Sequence, residues 1–130
     1  MQYFTITLVL SVQLFANNLY WYNDNQKIQI YNLGYDEKYH AFFYSNSKKR
    51  KAKKMALTNN IILAFKKKVG TDTLNMILDK YHLQLIQTMA IGNGFYVLRC
   101  LDNNPLDVAN QIYENENSIK SSYPDWMYSK

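Results

Sequence analysis

The stretch from Asn60 to Pro124 constrains the fold most, because strand-like and helix-like runs alternate there in a fixed order. "NIILAFKK" is a five-residue apolar run bounded by Asn and Lys, of strand length. "GTDTLNMILDKYHL" opens with Gly70, Thr71 and Asp72 as capping candidates and then places Leu74, Ile77, Leu78 and Tyr81 at helical spacing. "LQLIQTMA" and "FYVLRCL" flank a "GNG" turn, in which Gly92 and Gly94 permit positive φ, and they predict a hairpin. In "DNNPLDVANQIYENEN", Asp102 to Asn104 form a capping cluster and Pro105 takes a first-turn position. Leu106, Ala109, Ile112 and Tyr113 then fall on one face of that second helix. "SIKSSYP" supplies a fourth strand that Pro124 ends.

The order β-α-β-β-α-β is that of a ferredoxin-like α+β domain, an antiparallel sheet with both helices on one face. In that topology the first and third strands are central, and here they are the two continuous apolar runs. Alternate residues point to opposite faces, so both faces of the sheet centre are apolar and the helices cover only one. The other is to be covered by the amino-terminal region or by a partner, since an apolar sheet face left open marks an interaction site. The docking face is drawn from Ile61, Leu63, Phe65, Phe95 and Val97, or from the opposite set with Ile62, Tyr96 and Leu98.

Ahead of this domain, "YWY" and "KIQIY" flank the polar "NDNQ" and predict a short β-hairpin, with "YHAFFYS" as a further strand. Residues 1–16 read as a signal peptide, mostly apolar from Phe4 to Leu14 and too short to span a bilayer. The expected layout is therefore 1–16 signal peptide, 17–46 β-rich hairpin region, 47–58 basic linker, 59–123 α+β domain and 124–130 tail. The expected localisation is secreted, periplasmic or cell-envelope. The net charge of +5 is local: "KKRKAKK", Lys48 to Lys54, holds six of the fifteen basic residues and leaves nine basic against ten acidic elsewhere. The lone Cys100 sits in an apolar run and reads as a small buried hydrophobe.

From Asn60 to Trp126 the chain resembles the propeptide of subtilisin-like serine proteases. The likeness rests on a strand ending in Phe65, a helix leading into the turn Tyr81-His82-Leu83, where the family reads "ygl", and a hairpin ending in an apolar strand. It continues through Pro105, Ala109 and Ile112 of the second helix to Ile119, Ser122, Pro124, Asp125 and Trp126 at the close. The aromatic hairpin ahead of it is also similar to one found before this domain in some secreted subtilases. The resemblance implies an inhibitor and intramolecular chaperone whose sheet face packs on two surface helices of the protease. It implies too that the tail Pro124, Asp125, Trp126, Met127, Tyr128, Ser129 and Lys130 fills the active-site cleft like a product. Asp125 or Glu116 would then sit at the amino ends of the two enzyme helices, where the helix dipole favours a carboxylate.

The expected partner is a subtilisin-type protease, with no small-molecule substrate and no cofactor. His40 and His82 stand beside no plausible nucleophile and no subtilase serine motif is present, so the chain is not expected to be an enzyme. No His, Cys or carboxylate cluster suggests a metal. The same element order occurs in RNA-recognition modules, and the basic run could hold phosphate, so nucleic-acid binding is the alternative. Against it, Phe95 and Tyr96 are adjacent and face opposite ways, where that motif wants alternating aromatics. A truncated remnant of a subtilase gene, or a structural envelope protein, are the remaining readings.

Overall fold

The structure, a computed structural model, describes residues 19–48 and 53–128. The expected signal peptide, the middle of the basic run, Ser129 and Lys130 lie outside the described residues. The chain is mixed α+β, with two helices and antiparallel sheets. In place of four strands, a hairpin and one further strand, the described residues form ten strands in three sheets.

The elements run β1 (Tyr20–Asn23), β2 (Gln26–Gln29), β3 (Tyr31–Asp36), β4 (Ala41–Ser45), β5 (Met55–Ala56) and β6 (Asn60–Phe65). They continue through α1 (Thr71–Tyr81), β7 (Leu83–Met89), β8 (Phe95–Cys100), α2 (Pro105–Asn115), β9 (Ile119–Pro124) and β10 (Met127–Tyr128).

The larger sheet has the order β7-β8-β6-β9, all antiparallel, so β6 and β8 are central as the two apolar runs require. Both helices pack on one of its faces. Ile61, Leu63, Phe65, Leu83, Leu98 and Ile119 from the strands meet Leu74, Ile77 and Tyr81 of α1 and Val108, Ala109 and Ile112 of α2 in one core. Local chemistry sets the helix ends. Asn104 accepts hydrogen bonds from the N–H groups of Leu106 and Asp107, and Pro105, whose N–H is not needed there, begins α2. Helix α1 stops where His82 turns left-handed (φ 56, ψ 58) and its N–H donates to the carbonyl of Leu78. Glu116 then ties the helices together, accepting from Lys80 Nζ at 2.9 Å and from the Tyr81 hydroxyl at 2.7 Å.

The amino-terminal region forms a hairpin, β1-β2, and a second sheet ordered β10-β5-β4-β3. Two of its strands belong to segments expected to be a linker and a free tail. Met55 and Ala56 are fully buried in β5, so the basic linker expected over 47–58 does not run its full length. Met127 and Tyr128 pair with Ala56 and Met55 as β10. Trp21, Ile30, Tyr44 and Met55 form an aromatic-rich core here, completed by Leu106 of α2 and by Trp126. Trp126 stands edge-on to Trp21, with ring centroids 5.7 Å apart, and 5.9 Å from Tyr44.

The two regions join along α2. Tyr20 and Tyr22 both donate their hydroxyls to the Glu114 carboxylate, at 2.9 and 2.7 Å. Tyr22 stacks on Tyr113 at 4.3 Å, and the Asn110 amide donates to the Tyr20 carbonyl at 2.9 Å.

Candidate docking face

Strand register decides which residues face away from the helices. Ile61 lies opposite Leu98 and Leu63 opposite Tyr96, while Ile62 lies opposite Val97 and Ala64 opposite Phe95. Directly opposed residues share a face. The set Ile61, Leu63, Phe65, Phe95 and Val97 is therefore split between the two faces. Ile61, Leu63 and Phe65 are buried under the helices, as is Leu98, and Tyr96 packs edge-on against Phe65 at 5.7 Å. They are core residues and offer nothing to a partner.

The open face instead carries Ile62 of β6, Phe95 and Val97 of β8 and Tyr123 of β9, all half-buried. On β7, Leu85 faces Leu98 but Gln87 faces Val97, because the pairing shifts between them. That irregularity brings Met89, opposite Phe95, onto the open face and leaves Ile86 42% exposed at the sheet edge. An apolar row thus crosses three strands on the side that the helices leave uncovered. Part of this face is taken by the amino-terminal region, since Trp21 meets Tyr123 at 6.3 Å; Phe95, Val97 and Met89 lie toward the β7 side.

The tail is not a free extension. Pro124 is buried in β9, and Trp126 is 8% exposed within the aromatic core. The Asp125 N–H donates to the Asn60 carbonyl at 2.9 Å, and the Asp125 carbonyl accepts from the Thr58 hydroxyl at 2.8 Å. These bonds fix the chain direction that turns Trp126 inward. Of the tail residues described, Met127 and Tyr128 are the exposed ones, and Lys53 Nζ lies 4.1 Å over the Tyr128 ring.

The two carboxylates expected at a partner's helices differ. Glu116 is consumed within the chain: its hydrogen bonds from Lys80 and Tyr81 hold its carboxyl below the ordinary value of 4.5. The same contact and burial push the Tyr81 phenol up to about 12, burial contributing most. Asp125 is half-buried, and its carboxylate has no hydrogen bond or ion pair among the described residues. Burial pushes the Cys100 thiol up to about 11, away from the thiolate that a nucleophile would need. Among the described residues no group of His, Cys, Asp or Glu could hold a metal ion, and no helix is long and apolar enough to cross a membrane.

Compared with family models, curated proteins and solved structures, the chain matches none of them.

Proposed function

We propose that residues 60–124 form a ferredoxin-like domain of the subtilase-propeptide kind, which binds and inhibits a subtilisin-type serine protease outside the cytoplasm and assists its folding. The observation that carries the reading is the apolar row Ile62, Phe95, Val97 and Met89 on the sheet face opposite the helices. A half-exposed apolar face of this kind is what a partner's surface would cover. Two further features favour the likeness. The sheet order β7-β8-β6-β9 is the one a split βαβ domain requires. The middle residue of the Tyr81-His82-Leu83 turn is left-handed, which suits the glycine that the family carries there.

The tail has a narrower part in this reading than a seven-residue plug. Trp126 anchors the chain to its own core. Among the described tail residues, Met127 and Tyr128, held by a two-residue pairing to β5, are the ones free to exchange that strand for the edge of a protease cleft.

Titration of a subtilisin-type protease with the protein tests the proposal. The unsubstituted chain is expected to inhibit stoichiometrically. Val97→Asp, which sets a charge on the open face without entering the helix core, is expected to weaken inhibition about a hundredfold, as loss of a central apolar contact at roughly 2 to 3 kcal/mol does. No inhibition by the unsubstituted chain, or equal inhibition by Val97→Asp, would sink the reading.

A further inference from the structure

Beside the open face lies a groove of about 320 Å³, roughly ten water volumes, between Ile62 and Tyr123 of the sheet, Trp21 and Trp126 of the aromatic core and Tyr128 of β10. Its walls are rings. Trp21 stands edge-on to both Tyr123 and Trp126, and the more accessible aromatic surface comes from Tyr123, half-buried, and Tyr128, 45% exposed. Asp125 lines the same groove, its carboxylate unpaired among the described residues. Asn23, at the end of β1, lines the groove from the other region of the molecule, and Asp24 follows it at the β1-β2 turn. Burial first, then the charges of Asp24 and Asp125, pushes the Tyr123 phenol up.

Aromatic faces and an unpaired carboxylate around one concavity attract the same kind of ligand, an organic cation. A neutral ligand would gain from the rings but would leave the Asp125 charge uncompensated. Lys53, over the Tyr128 ring at 4.1 Å, illustrates the preference from within the chain and leaves Tyr123, Asp24 and Asp125 without a cation contact among the described residues. We propose that this groove binds a Lys or Arg side chain of the protein docked on the open sheet face. Assigning the cation to that partner rests on the docking reading above; the groove's affinity for a guanidinium or ammonium group does not.

The chain's only two tryptophans both line the groove, so tryptophan emission reports on it directly. The test is a fluorescence titration of the full chain with N-acetyl-arginine amide and with its uncharged analogue N-acetyl-citrulline amide. The arginine compound is expected to give a saturable change that weakens with added salt, and the citrulline compound none. Asp125→Asn and Asp24→Asn are each expected to weaken binding about threefold, the scale of an exposed ion pair. Asparagine tolerates the positive φ of 56 at position 24, so both variants keep the fold, which circular dichroism verifies. No saturable change with the arginine compound would overturn the proposal. So would equal responses to the two compounds, or unchanged affinity in Asp125→Asn. Because no protease is present, a failure here leaves the docking reading standing, and a failure to inhibit protease leaves the groove standing.

Discussion

The two halves of the molecule are stabilised in different ways. The β6-to-β9 region closes a largely aliphatic core from its own two helices and four strands, with Ile61, Leu63, Leu98, Ala109 and Ile112 all fully buried. The amino-terminal sheet has four short strands, two of them only two residues long, and its core is aromatic. It is also incomplete without Leu106 and Trp126, which come from beyond β6 in sequence. A small sheet buries too little of its own surface to be stable alone. The difference explains an aromatic, apolar chain end: Trp126 is a keystone that lends core to the half that lacks it.

This asymmetry sets what substitutions should do. The largest expected effect is at the keystone. Trp126→Ala should cost about 3 to 5 kcal/mol and open the amino-terminal sheet while the β6-to-β9 region stays folded. Hydrogen exchange would then show lost protection in β3 and β4 with protection kept in β6 and β8. Ile112→Ala, by comparison, should cost about 2 to 5 kcal/mol and loosen both halves together, because α2 serves both cores. If the two variants lost protection in the same pattern, the halves would be one cooperative unit and the comparison would fail.

A smaller effect concerns pH. The Glu116 carboxyl is held below its ordinary 4.5 by Lys80 and Tyr81, so its folded value is depressed. Its contribution to stability is then present above 4.5 and is lost as pH falls through the lower folded value. Urea midpoints of the native protein should fall across that acid window, and those of Glu116→Gln should fall less. Equal acid sensitivity in the two proteins would remove Glu116 as the cause.

Much of the β6-to-β9 region is legible in the sequence because its signals are local. Helical spacing, the Asn104 cap with Pro105 and the Gly92 and Gly94 turn each specify their element within a few residues. Phase between strands is a different matter. Whether Val97 shares a face with Ile61 or with Ile62 is fixed by pairing across some 35 positions of chain, and the irregularity at Ile86 reverses the alternation of β7 midway. That is why the expected docking set mixed buried core with open face. The two-residue strands β5 and β10 carry no periodicity at all, and Met55 and Ala56 follow directly on a basic run. Nor does a terminal tryptophan announce in sequence whether it turns inward; here the hydrogen bonds of Asp125 with Asn60 and Thr58 decide it.

In the proposed complex the partner meets the open sheet face while Trp126 stays inside. Hydroxyl-radical footprinting of the chain, alone and bound to a catalytically inactivated subtilisin-type protease, tests it most directly. Met89 and Phe95 are expected to become protected on binding, and Trp126 to stay as unreactive as in the free chain. Unchanged reactivity at Met89 and Phe95, with a change at Trp126, would contradict it.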